Sequence, residues 1–88
     1  MERYKTMLRG FLSSYIETFR VSRHLSQEKM AEHLHISPRA YSNLEKGRFC
    51  FSILPLLFLL LMLDSEELKA FLEKLRRSMS ELETAHGA

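Results

Sequence analysis

The stretch LSQEKMAEHLHISPRAYSNLEKG, residues 25–47, predicts two short helices joined by a tight turn. Ser26 is a good N-cap for the first helix, and apolar residues follow it at helical spacing. Ser37 can cap the second helix, whose first residue is Pro38, where a missing N–H costs nothing. Gly47 suits the left-handed conformation in which helices commonly end. These residues are therefore expected to form a compact pair of helices.

The second helix of this pair is predicted to have one apolar face and one polar face. Its inner face would consist of Ala40, Tyr41 and Leu44. On the outer face, Arg39 carries the forked guanidinium that can bind guanine O6 and N7. Asn43, one turn later, could pair with adenine or reach a phosphate. Because such side chains read base edges, the outer face favours contact with DNA.

Residues at the ends of the two helices complete this candidate DNA-binding surface. Gln27 and Ser37 stand at helix starts, where they can donate hydrogen bonds to phosphates. Lys46 and Arg48 follow the second helix and would hold the DNA backbone electrostatically. Pro38 has no side-chain donor or acceptor, but it could contact a thymine methyl group. The candidate DNA-binding residues are Gln27, Ser37, Pro38, Arg39, Ser42 as a weaker reader, Asn43, Lys46 and Arg48, with Arg23 as a further candidate for a backbone contact.

Composition and charge are typical of one small intracellular domain. The 88 residues are 45% hydrophobic with three Gly and two Pro, which predicts a single mostly helical domain spanning residues 1–88. Residues 20–48 carry a net charge of +3 and residues 49–88 a net charge of −2, a difference that is also common on ordinary solvated surfaces. Cys50 is the only cysteine and is expected to be a small buried hydrophobe. Without a possible internal disulfide or a signal segment, a cytoplasmic location is expected.

Three further helices are predicted around the pair. Apolar residues recur at steps of three and four over residues 4–19, so one amphipathic helix of about twenty residues comes first. The unbroken apolar run of residues 53–63, with Ser52 as a possible cap, predicts a buried helix that is too short to cross a bilayer. Residues 64–83 are expected to form the last helix, because Asp64 can cap it and acidic residues favour its first turn. The expected fold is all-α with five helices.

The fourth and fifth helices are predicted to form a dimer interface. The fourth is apolar nearly all round, and the fifth carries a short heptad seam. The candidate dimerisation residues are Leu57, Leu61, Leu68, Leu72, Leu75 and Met79, with Phe71 as a wider flank. A two-fold homodimer would bury this surface. The alternative is that the long first and last helices fold over the fourth within one chain.

The pair of helices resembles a known DNA-binding family. The matching pattern is Leu25-Ser26-Gln27-Glu28, Met30-Ala31, Leu34, Ile36-Ser37, Tyr41 and Leu44-Glu45-Lys46-Gly47. It closely resembles the helix-turn-helix of the phage-repressor and Cro family, also called the xenobiotic-response-element family. The resemblance covers about residues 16–63 and implies a five-helix, lambda-repressor-like DNA-binding domain. It also implies an ion pair between Arg20 and Glu45 that ties the first helix to the recognition helix.

Two positions depart from the pattern of that family. Relatives often carry a polar base reader where this chain has Pro38, so specificity must depend on Arg39 and its neighbours. Relatives commonly have glycine where this chain has His35, because the turn needs a positive φ. Histidine is modestly enriched in that conformation, and His35 is therefore expected to adopt it.

The polar outer face and the resemblance together predict a transcription regulator. It is expected to repress a promoter as a dimer on a pseudo-palindromic operator, with half-sites about 34 Å apart. The alternative is a protein-interaction module, or an antitoxin or restriction-controller protein, that captures another polypeptide with the Leu-rich fourth helix. The cationic outer face favours DNA, because a pure scaffold has no need of it.

No cofactor, membrane partner or small-molecule ligand is indicated by the sequence. His33, His35 and Cys50 lack a fourth ligand for zinc, and the two histidines would straddle a helix end. An enzyme would need a nucleophile, a base and an orienting group converging on a cleft, and no such set can be identified. A binding protein rather than an enzyme is expected.

Overall fold

The computed structural model describes residues 2–87, with side chains described as far as Thr84. These residues form five helices and no strand, which confirms the all-α prediction. The helices are α1 (Glu2–Ser22), α2 (Gln27–Leu34), α3 (Pro38–Glu45), α4 (Ile53–Leu61) and α5 (Ser65–Gly87). None of them combines the length and the apolar character that crossing a bilayer requires.

The first three helices end in the same way, with one residue in the left-handed conformation. These residues are His24 (φ 58°), His35 (φ 60°) and Gly47 (φ 71°). After α2, the N–H of His35 donates to the carbonyl of Glu32, and the next N–H donates to Ala31, each at 3.1 Å. These two hydrogen bonds close the last turn of α2, and the chain changes direction at this point. The expectation of positive φ at His35 is confirmed, whereas His24 was not anticipated.

The core lies where α1, α2 and α3 meet. α3 packs against both α1 and α2, and α4 packs against α2. The buried cluster consists of Ile16, Phe19, Met30, Ala31, Leu34, Tyr41 and Leu59. Ala31 is 1% exposed and Tyr41 is completely buried, so the three helices approach one another closely at this point. The core therefore fixes α3 from beneath.

α5 packs antiparallel against α1 rather than over α4. Phe71 is 3% exposed, and its ring lies edge-on to Tyr15 with the centroids 4.8 Å apart. One turn earlier, Glu67 pairs with Arg23 at the far end of α1. Asp64 and Glu67 also cap the helix reciprocally, each side chain accepting from the backbone N–H of the other. The predicted cap is thus present, and α5 runs beyond the expected end near residue 83.

α4 is only half covered by the rest of the chain. Pro55 and Leu59 are its buried residues, and the helix packs against α2. The opposite side is exposed: Ile53 (66%), Leu54 (60%), Leu57 (45%) and Leu61 (80%). The prediction of a buried helix is wrong for this side, because α5 packs against α1 and leaves this side of α4 uncovered.

The loop between α3 and α4 departs from a second expectation. Cys50 is exposed, so the prediction of a buried small hydrophobe is wrong. The loop leaves the core after Gly47, with Arg48, Phe49 and Cys50 exposed, and returns to it at Phe51, which packs against the buried cluster. Ser52 precedes α4 with an extended backbone, but its side chain makes no capping hydrogen bond.

Candidate nucleic-acid interface

α3 is positioned so that one side faces the core and the other faces solvent. The hydroxyl oxygen of Ser37 accepts a hydrogen bond from the Ala40 N–H at 3.1 Å, and Pro38 occupies the first turn. Tyr41 and Leu44 are buried on the inner side. Arg39, on the other side, is exposed. The capped, anchored helix thus presents its outer side chains from a fixed backbone.

The outer side of α3 and the residues after it form a polar cationic face. Arg39, Lys46 and Arg48 are exposed, while Ser42 and Asn43 are half-exposed. Within the side chains that the structure describes, none of the three cations pairs with a carboxylate. Arg48 Nη1 lies 3.4 Å from Asn43 Oδ1. This face therefore combines uncompensated positive charge with hydrogen-bonding groups.

The one carboxylate on α3 is neutralised by a network beneath this face. Glu45 accepts from Arg20 Nε at 2.5 Å, from Arg20 Nη2 at 3.3 Å and from Gln27 Nε2 at 2.9 Å. The hydroxyl of Tyr41 donates to the same carboxylate. Arg20 Nη1 also donates to the Leu25 carbonyl at 2.9 Å. The network joins α1, α2, α3 and the intervening loop.

The environment of Glu45 keeps its carboxylate charged. The Arg20 and Glu45 side chains are 15% and 6% exposed. Burial by itself would raise the pKa of Glu45, but hydrogen bonds from Arg20, Tyr41 and Gln27 outweigh it, so this pKa lies below the usual glutamate range. Burial, together with donation to Glu45, raises the pKa of Tyr41. The carboxylate therefore stays paired inside the helix packing and does not repel an anion at the outer face.

α2 and α3 together have the arrangement of a helix-turn-helix unit, and comparison with known families agrees. A family described as helix-turn-helix matches residues 16–66. No curated protein and no solved structure matches the chain.

The chain belongs to the helix-turn-helix family of phage-repressor and Cro-like regulators. Membership of this family indicates a DNA-binding transcriptional regulator. In the terms of the family, α3 is the recognition helix and α2 is the helix that supports it.

The ion pair implied by this family resemblance is present, but Gln27 has an additional role. One N–H of its side-chain amide donates to Glu45, and the other N–H is left for another acceptor. Ser37 likewise accepts a capping bond through its oxygen and retains its own O–H. Both residues remain exposed at helix N-termini.

Arg23 lies in a different environment from the other candidate cations of this helix-turn-helix protein. Its Nη2 donates to both oxygens of Glu67 at 2.5 and 2.6 Å. Its guanidinium also lies over the ring of Phe19, 4.5 Å from the centroid. Arg23 thus ties α1 to α5, and the sequence-based suggestion that it contacts phosphate does not fit this arrangement.

Two residues of this site were missed at the sequence level. The hydroxyl of Tyr41 adds a hydrogen bond to the Arg20–Glu45 ion pair, and the carboxylate of Glu67 pairs with Arg23 next to the site. Tyr41 and Glu45 stand four residues apart on one helix, a spacing that could have revealed their contact. No comparable signal exists for Glu67, because its partner lies 44 positions away.

The candidate dimerisation residues divide between two environments. Leu57 and Leu61 on α4 are exposed, as is Leu72 on α5. Leu68, Leu75 and Met79 are half-buried on the helix that packs against α1. Among the described residues, no group of three or more His, Cys, Asp or Glu side chains could hold a metal ion.

Proposed function

We propose that this helix-turn-helix protein is a sequence-specific transcriptional repressor that inserts α3 into the major groove of an operator. The observation that carries the proposal is the cationic outer face of α3, whose only carboxylate is neutralised from below by Arg20. A protein-interaction module would use the exposed side of α4 but would give this cationic face no role. Such a function places the protein with DNA, in the cytoplasm.

Base recognition is assigned to the exposed side of α3. Arg39 stands in the first turn, where a recognition helix meets base edges, and its free guanidinium can bind guanine O6 and N7 together. Asn43, one turn later, can bind adenine or a phosphate, with Ser42 as a weaker contact. Pro38 can contribute an apolar contact to a thymine methyl.

Phosphate contacts are assigned to the edges of the same surface. The remaining N–H of Gln27 and the O–H of Ser37 can each donate to a backbone phosphate near a helix N-terminus. Lys46 and Arg48 would hold the strand at the other end of α3. These contacts fix the register of α3 on the duplex and add affinity that depends on salt.

A homodimer would present two such helices to the two halves of a pseudo-palindromic site. The exposed apolar residues of α4 support self-association, because large exposed apolar patches mark interaction sites. Repression requires only that the dimer occupy a promoter, and DNA binding is the activity that this site supports.

Selection from a pool of random duplexes tests this proposal. The full chain should enrich a pseudo-palindrome whose half-sites lie about one helical turn, or 34 Å, apart. Arg39→Ala, run in parallel, should enrich a motif that has lost preference at one position in each half. A pool that shows no enrichment over the input would contradict sequence-specific binding.

A further inference from the structure

The exposed side of α4 is a continuous apolar stripe, here called the α4 face. It consists of Ile53, Leu54, Leu57 and Leu61, which lie on one side of the helix at steps of one, three and four residues. Each is between 45% and 80% exposed. The helix packs against α2, yet these four side chains stay open to solvent, so the α4 face is largely uncovered within the described residues.

The chemistry of this region argues against a charged occupant. Residues 49–63 contain no Asp, Glu, Lys or Arg. A nucleic acid or a charged segment placed here would lose hydration without gaining a partner for its charge. An occupant must therefore be as apolar as the face itself, and a second copy of the same face meets that condition by construction.

A projection and a recess lie side by side at the beginning of α4. Phe49 is 60% exposed. It borders a recess of about 170 Å³ whose other walls include Ala40, Leu44, Cys50 and Pro55. In a two-fold symmetric contact both copies use the same surface, so each copy must carry both a projection and the recess that receives it. This protein carries a protruding aromatic ring next to an apolar recess. Phe49 of one copy can fill the recess of the other.

The area available is also sufficient for a specific dimer. Five large apolar side chains, each burying on the order of 100 Å², would remove about 500 Å² per copy from water, or about 1,000 Å² in total, which reaches the lower limit for a specific interface. The α5 seam offers less, because Leu68, Leu75 and Met79 are already half-buried beside α1.

We propose that two copies of this chain associate through the α4 face, with Phe49 and the adjoining recess, and not through the seam of α5. This inference rests on the proposed dimeric mode of DNA binding and names the surface that it uses. Because Ala40 and Leu44 of the recognition helix form two walls of the recess, the partner copy would also support α3 from beneath. Dimerisation and DNA recognition would then be coupled directly.

Sedimentation equilibrium of the full chain, with and without one charged substitution, tests the interface. Leu61→Glu alters the most exposed residue of the face and should halve the observed mass, from twice 10.4 kDa to 10.4 kDa. The matched control is Leu72→Glu, an equally sized change at the exposed position of α5, which should leave the dimer intact. A Leu61→Glu dimer, or dissociation by Leu72→Glu alone, would overturn the proposal.

The thiol of Cys50 provides a second measurement that needs no variant. It is exposed in one copy, lines the recess and is the only cysteine of the chain. Its rate of modification by an aromatic disulfide reagent should fall as the protein concentration is raised, and Leu61→Glu should abolish that dependence. A rate independent of concentration in the unmodified protein would contradict the interface. If the same protein still selects a duplex motif, the failure lies in the interface and not in DNA binding.

Discussion

The helix pair α2–α3 and the following helix α4 are adjacent in the chain, but polar contacts hold the pair in place and apolar contacts hold α4. Ser26 and Ser37 cap α2 and α3 through their hydroxyl oxygens, and the buried Arg20–Glu45 pair ties α3 to α1. α4 has no side-chain cap bond and keeps a whole apolar side exposed. The contacts that orient α3 thus lie within the chain, whereas the exposed side of α4 is the surface that we propose a second copy covers.

The largest expected effect is loss of the network that belongs to the pair. Glu45→Ala would leave the Arg20 charge and the Tyr41 hydroxyl without their acceptor in a nearly buried site, and should lower the free energy of unfolding by about 3 kcal/mol. Urea unfolding followed by circular dichroism measures it. The control, Glu17→Ala at an exposed position of α1, should change stability by less than about 0.5 kcal/mol. If the two substitutions lowered the free energy of unfolding equally, the network would add no more stability than an exposed carboxylate does.

A smaller loss is expected from crowding the point where the helices cross. Ala31 is 1% exposed and belongs to the buried cluster. Ala31→Leu should destabilise the protein by about 1–3 kcal/mol, because the closely packed helices must separate to admit the extra methyl groups. Ala70→Leu, the same change at an exposed position of α5, should be tolerated. A melting temperature unchanged by Ala31→Leu would mean that the pair is packed more loosely than described.

Lowering the pH should weaken the contacts of Glu45 in the α2–α3 pair more than those of Glu67 in α5. The pKa of Glu45 is lowered on folding, so its carboxylate stabilises the folded protein above the usual glutamate pKa of 4.5, and this stabilisation is lost as the pH falls through the lowered value. The difference in unfolding free energy between the unmodified protein and Glu45→Gln should therefore narrow from pH 7 to pH 3. Hydrogen bonds from Arg23 and from the Asp64 backbone N–H also lower the pKa of Glu67, but at the surface. The corresponding difference in unfolding free energy for Glu67→Gln should narrow less over the same pH range. A larger narrowing for Glu67→Gln than for Glu45→Gln would contradict this expectation.

The smallest effect, and a favourable one, is expected at the helix ends. The left-handed backbone conformation of His24 is unfavourable for a residue that has a Cβ atom, and no aromatic contact of its ring among the described residues offsets this cost. His24→Gly should therefore stabilise the protein by up to about 1 kcal/mol. His35→Gly should gain less, because the His35 ring packs against Phe58 with the centroids 4.4 Å apart. His33→Gly, inside α2, should instead destabilise by about 0.5 kcal/mol. Thermal unfolding of the three variants would contradict this order if His33→Gly proved the most stable.

The sequence predicted the parts of the fold that depend on neighbours along the chain. The caps at Ser26 and Ser37, the left-handed residues His35 and Gly47, and the amphipathic pattern of α1 are each specified within a few residues, and all are present. The Arg20–Glu45 pair spans 25 positions, and only the family resemblance suggested it.

The parts that were missed depend on contacts between distant segments. The heptad pattern of α5 did not show that Phe71, at the flank of its seam, packs on Tyr15 within the chain. That arrangement exposes one side of α4 and leaves the loop at Cys50 uncovered. The pairing of Arg23 with Glu67 follows from the same packing, because only the antiparallel approach of α1 and α5 brings them together. A one-dimensional pattern identifies an apolar face but does not identify its neighbour.

The most direct test of the central claim compares two cations of the polar face on the selected duplex at two salt concentrations. Arg39→Ala should weaken specific binding by about 1–3 kcal/mol and relax preference at one base pair in each half-site. Lys46→Ala should weaken binding to all duplexes alike and reduce the salt slope by about one. This separation of the two effects would establish that α3 reads bases while its flank holds phosphates. If both variants bind the selected and random duplexes as the unmodified protein does, the outer side of α3 is not the DNA-reading surface.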